Sequence, residues 1–169
     1  MPVAERVYAD ASPLIGLARI RRLDLLQVLP TPVYVTETVW QEVSGRPEKP
    51  GVAELNPARH AGLLRVVPEG DPGAYSPLGP GEAATLSAAS AHGAAVLIDD
   101  REAVRFMRRD PRLAETISAH IDTVGLVVLA KQQGVISAGK PILLALIHER
   151  LHIGRELYER ALSLMDEVS

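Results

Sequence analysis

A chain of 169 residues, 47% apolar and 23% charged, is long enough for one cored domain, and no apolar run approaches the roughly 20 residues a membrane span needs. The absence of cysteine rules out a disulfide framework, a thiolate metal site and a thiol nucleophile. A net charge of −3 argues against a generic nucleic-acid coat protein, although five arginines cluster between Arg101 and Arg112.

The opening Met-Pro-Val-Ala-Glu-Arg lacks the basic-then-apolar layout of a secretory leader, so a cytoplasmic location is expected. A first strand is expected over Arg6–Ala9, ending at Asp10. Ser12-Pro13 then reads as an N-cap with proline at the first helical position. The helix that follows carries Leu14, Ile15, Leu17, Ala18 and Ile20. A second helical stretch, Leu23 to Leu29, stops at Pro30-Thr31-Pro32. Val33-Tyr34-Val35 is a short strand, and Thr36 caps a helix holding Val39, Trp40, Glu42 and Val43. Trp40 is expected to fill core.

A weaker helix, Val52 to Ala61, precedes the strand Leu64 to Val67. The longest irregular stretch, Pro68 to Gly81, has four prolines and four glycines among fourteen residues. Its Tyr75 is the one aromatic placed to touch a base. The Glu82 helix runs to His92, where Gly93 ends it. A strand from Ala94 delivers Asp99-Asp100, and an arginine-rich helix from Arg101 stops at Asp110-Pro111. A last strand near Ile117–Ile121 and helices over Val124–Gln133, Ala138–His148 and Arg155–Glu167 complete the chain. Alternating strands and helices predict a single domain, a three-layer α/β/α sandwich on a mostly parallel, roughly five-stranded sheet, with 124–169 as a helical C-terminal extension.

Asp10, Glu42, Glu82 and Asp100 each fall at a strand end or on a helix. Ligands of open parallel sheets bind at the carboxyl ends of strands, where Asp10 and Asp100 are delivered. Converging carboxylates resist joint ionisation unless a cation joins them, and an all-oxygen set selects Mg²⁺ or Mn²⁺.

Asp10-Ala-Ser-Pro-Leu-Ile, Val39-Trp-Gln-Glu42-Val, Gly81-Glu82-Ala-Ala and Leu97-Ile-Asp-Asp100-Arg, in that order, resemble the acidic series of a PIN-domain protein. More narrowly, the chain is similar to a prokaryotic PIN-like subfamily that opens with Asp-Ala-Ser-Pro-Leu-Ile and carries a Gly-Glu-Ala helix, related to the toxin branch of PIN proteins. The resemblance implies metal-dependent RNA cleavage, membership of a toxin–antitoxin pair and a small antitoxin partner. By position, Asp10, Glu42, Glu82 and Asp100 match the family's four acids. Glu stands at 82 where the toxin branch has Asp. The fourth acid is doubled as Asp99-Asp100; strand alternation turns the two to opposite faces, and spacing favours Asp100.

Ser12 is a candidate for holding a phosphate or a metal-bound water, beside its capping role. Arg101, Arg105 and Arg108 share one helix face and are candidates for RNA-backbone contact, beside a solvated face partnered by Glu102 and Asp110. Two rival functions stand. One is a PIN fold without turnover that binds nucleic acid or protein. The other is a zinc protease, since His148-Glu149-Arg150-Leu151-His152 spells His-Glu-x-x-His, which holds zinc when both histidines share a helix face. Apolar residues of the tail helices, among them Ile147, Leu157 and Leu164, suit core packing, a homodimer or an antitoxin contact.

Overall fold

The two central strands carry no charged side chain: Val7–Ala9 (β1) and Ala95–Leu97 (β4) are buried at every position. Such strands belong inside a parallel sheet covered on both faces. The computed structural model, which describes residues 5–169, has that form. The first four residues of the stretch read for a leader, Met1 to Ala4, lie outside the described residues. Val33–Thr36 (β2), Leu64–Val67 (β3) and His120–Ile121 (β5) complete five strands, all parallel, in the order β3-β2-β1-β4-β5. The chain winds outward from β1 to β3, then returns to the other side of β1 to lay down β4 and β5. Strand order reverses between β1 and β4, and there a crevice opens at the carboxyl ends of the strands.

Side-chain parity sorts the core into two layers. Val7, Ala9, Ala95 and Leu97 face one, with Leu17 of α1 (Ala11–Arg19), Val39 of α2 (Glu37–Ser44) and Leu55 of α3 (Leu55–His60). Tyr8, Val96 and Ile98 face the other, with Leu86 of α4 (Pro80–His92), Met107 of α5 (Arg101–Arg109) and Leu113 of α6 (Pro111–Thr116). The first layer also takes Val127 of α7 (Thr123–Gln132), Leu143 of α8 (Lys140–His148) and Leu162 of α9 (Arg155–Leu164). The expected α/β/α sandwich is therefore present, and its C-terminal helices share one core with α1. Ile147, Leu157 and Leu164 keep exposed surface. No described helix is long and apolar enough to cross a membrane.

Several local expectations are corrected. The segment from Leu23 is a 3-10 helix, Leu23–Val28, and the weak helix before β3 divides into a 3-10 turn, Val52–Glu54, and α3. Helix α6 was not expected. Asp110-Pro111 does not only stop α5; Asp110 accepts from Leu113 N–H at 3.0 Å, and Pro111 takes the first position of the next helix, where a missing N–H costs nothing. Thr36 caps α2 as expected, accepting from Val39 N–H at 3.2 Å. Trp40 is only half-buried, packed against the first layer with the Arg59 guanidinium 5.0 Å from its ring centre.

Leu97 is fully buried between β1 and β5. Leu97→Ala is expected to lower stability to urea by about 2–5 kcal/mol, the range for truncating a buried leucine. A loss below about 1 kcal/mol would contradict packing of that density.

Candidate active site

Asp10 sits at the strand reversal. Its backbone still belongs to the sheet, donating to Leu97 O at 3.0 Å in an extended conformation, and α1 starts at the next residue. The helix thus begins earlier than Ser12-Pro13 suggested. Asp10, not Ser12, is the N-cap residue, and it makes no side-chain capping bond. Pro13 falls within the first turn, where backbone N–H groups have no intrahelical partner to lose. Ser12 is the second helical residue and is exposed.

Glu42 reaches from α2 to the start of α4. A Cβ on Gly81 would stand 2.6 Å from Glu42 Oε1 and 2.8 Å from Oε2, so only glycine lets the carboxylate lie there. The Gly81 N–H favours the charged form of Glu42, and the positive end of the α4 dipole acts in the same sense. Glu82, on the next residue, turns back to accept from Gly79 N–H at 3.3 Å, half of a capping box. Asp100 caps α5, accepting from Ala103 N–H at 2.9 Å.

Parity separates the doubled acid. Residues 96, 98 and 100 fall on the α4 side of the sheet, whereas 95, 97 and 99 fall on the α7 side. Both oxygens of Asp99 are taken by Thr123, one by its N–H and one by its hydroxyl, each at 2.7 Å. Asp99 therefore fastens β4 to α7, and Asp100 alone turns toward the other acids.

The four carboxylates sense one another. Asp10, 4% exposed, is pushed up to about 7, mainly by burial. The Ala11 N–H opposes the shift, and the charges of Glu82, Glu42 and Asp100 add to it. Burial also raises Glu82, followed by the charge of Asp100, and burial raises Glu42. Like charges with oxygen donors only, gathered around one buried carboxylate, are the donor chemistry of a hard divalent cation. Among the described residues, no group of three acids or histidines already stands at metal-binding separation. Glu82 and Asp100 each hold one oxygen against a helix start and leave the other free.

A cleft of about 530 Å³ opens beside the acids, between α1 and the loop after α8. Ser12, Glu82, Asp100 and Arg101 line it, whereas Arg105 faces an adjoining chamber. Arg19 also lines the cleft, and its Nε is buried without a hydrogen-bond partner. This residue was missed, yet the signal existed: Arg19 lies seven residues after Ser12, two helical turns along the same face. Tyr75 packs on Phe106 with ring centres 5.2 Å apart and is half-buried. The His-Glu-x-x-His segment does not form a zinc-protease helix. Helix α8 ends at His148, Arg150 adopts φ 72°, and His152 lies past the turn in the cleft wall. The expected ion partners of Arg101, Arg105 and Arg108 are likewise absent among the described residues, where none of the three makes an ion pair.

A family model described as a PIN domain matches residues 6–167, nearly the whole chain. PIN domains are a nuclease-type fold whose members are generally metal-dependent. No curated protein and no solved structure matches the chain.

The Asp10 shift has a sign that can be measured. Its folded pKa of about 7 exceeds the ordinary 3.8, so the folded chain keeps a proton that the unfolded chain releases. In EDTA, this group's contribution falls as pH rises from about 4 to about 7, by up to about 4 kcal/mol. Asp10→Asn should remove that slope. In urea unfolding the variant should match the parent near pH 4 and exceed it at pH 8. A variant no more stable at pH 8 would contradict the burial of a charged Asp10.

Proposed function

The chain belongs to the PIN-domain family, and on that footing we propose that it is a metal-dependent endoribonuclease acting as the toxin of a toxin–antitoxin pair. The observation that carries this reading is the meeting of Asp10, Glu42, Glu82 and Asp100, from four different elements, at the strand reversal. These residues would hold one or two Mg²⁺ or Mn²⁺ ions. Bound there, such an ion supplies a lowered water pKa and charge stabilisation at the phosphoryl oxygens.

The protein's own groups do the rest. Asp10 is fixed by the sheet, so its carboxylate has little freedom to lose on ligation. Gly81 lets Glu42 approach, and the caps leave Glu82 and Asp100 one free oxygen each. An acidic pocket repels a phosphodiester unless cations flank it. Arg19 and Arg101, in the same cleft, provide that flank, and the exposed Ser12 hydroxyl offers a further phosphate contact. No protein nucleophile is required. The exposed Ile147 and Leu164 support a homodimer and a small antitoxin partner, in a cytoplasmic setting.

One observation favours a second reading, a PIN fold that binds without turnover. Glu82 and Asp100 already serve as caps, and no three acids stand at metal-binding separation among the described residues. Metal affinity separates the two. Calorimetric titration of Mn²⁺ is expected to show saturable binding that Asp10→Asn abolishes. The same variant should lower Mn²⁺-dependent cleavage of single-stranded RNA by about 100-fold or more, as for loss of a primary metal ligand. A parent protein that takes up no Mn²⁺ would favour the second reading; full cleavage by Asp10→Asn would sink the first.

A further inference from the structure

The acidic cleft does not end at Asp100. It continues into a second chamber of about 310 Å³, and Asp99, Arg101, Leu151 and His152 line both. Arg101 stands at the junction, its Nη2 within 3.8 Å of where a Cβ on Gly154 would lie. The two chambers differ in chemistry. The first holds Glu82 and Asp100; the second is walled by Arg101, Arg105 and Arg108 over the apolar side chains of Val104, Leu151 and Leu157.

The three arginines follow the spacing of one helix face, and α5 turns that face to the chamber. Arg105 and Arg108 are exposed and make no ion pair among the described residues. The chamber's two carboxylates are held by the start of α7 and pair with none of the arginines among the described residues. Thr123 holds both oxygens of Asp99, and Asp122 Oδ1 caps α7 by accepting from Gly125 N–H at 2.6 Å. Three guanidinium groups therefore face two carboxylates, a net positive charge over a partly apolar floor. A bare anion site would not need that floor, and an apolar ligand would not need the arginines.

We propose that this second chamber is a nucleotide subsite. It holds the nucleoside next to the scissile phosphate, its base against Val104, Leu151 and Leu157, and the following phosphate on Arg105 and Arg108. The proposal rests on the endoribonuclease reading for its place in a reaction, but not for its ligand chemistry. A volume of about 310 Å³ sits at the low end of small-ligand pockets, roughly 300–1,000 Å³, which suits one nucleotide and not a duplex. The loop after α8 becomes the outer wall of the subsite. His152, conspicuous in the sequence for a protease motif it does not form, lies between the chambers. Strand polarity and base preference would follow from what this loop admits.

The test is a titration of adenosine monophosphate and cytidine monophosphate into the full chain in EDTA, followed by amide NMR shifts. Saturable shifts are expected at residues 101–108 and 151–157. Arg105→Gln with Arg108→Gln should weaken binding about tenfold or more, as for loss of charge-assisted bonds to phosphate. Both side chains are exposed and unpaired, so the variant should keep the parent's unfolding midpoint. Shifts confined to other regions, or equal affinity in the double variant, would overturn the subsite. Inorganic phosphate binding as tightly as either nucleotide would overturn the base pocket. Because the titration excludes divalent metal, nucleotide binding with no Mn²⁺-dependent cleavage would leave the subsite standing and remove the nuclease reading alone.

Discussion

The pairing of β1 with β4 is the constraint on which the rest depends. Ala9 lies opposite Leu97, and the Asp10 N–H extends the ladder one bond further. These bonds join the two strands at which the sheet changes direction, so Asp10 and Asp100 leave adjacent strands on the same face. A one-residue slip would turn Asp99 toward the acids and Asp100 toward α7, because side chains alternate along a strand. Asp99 resists such a slip, with both its oxygens bound to Thr123. The doubled acid is thus divided: Asp99 holds β4 to α7 from the cleft wall, and Asp100 turns toward the other acids.

Placing charge at that junction strains the fold, and the surrounding chain is arranged to bear it. Burial makes an ionised Asp10 unfavourable, and three neighbouring carboxylates make it more so. The compensation available within the chain is modest: the Ala11 N–H for Asp10, the Gly81 N–H for Glu42, and the helix starts served by Glu82 and Asp100. Each of these stabilises one carboxylate through the positive end of a helix or an N–H beside it. None is a full countercharge. Arg19 and Arg101 border the same cleft without pairing with the acids among the described residues. Acidic floor and cationic walls together are what a divalent ion and a phosphodiester, taken as a pair, would match.

Much of this was legible in the order of residues. Buried strands without charge, Thr36 before Val39, and Gly93 after the α4 helix announce the alternation and its boundaries through local rules. The acids were legible for the same reason, since each ends a strand or stands on a helix near one. What escaped depended on distance in the chain. Ser12 looked like a cap because Ser-Pro is a common start, but the sheet carries Asp10 into the cap position first. Asp110-Pro111 looked like a stop when it is also a start. His148 and His152 have the spacing of a helical pair, yet α8 ends at the first of them and Arg150 turns the chain away. Gly81 carries no local signal of its role, which arises because Glu42 arrives from another helix; Arg19 shares a helix face with Ser12, but its cleft is completed only by the loop after α8.

Everything functional here reduces to one claim: the carboxylates at the β1–β4 junction share a divalent cation. The most direct measurement is anomalous diffraction from crystals soaked in Mn²⁺. A peak is expected between Asp10 and Asp100, with carboxylate oxygens at about 2.1 Å and Asp99 still bound to Thr123. A saturating soak that leaves this junction without a peak, or a peak ligated by Asp99 in place of Asp100, would contradict that claim.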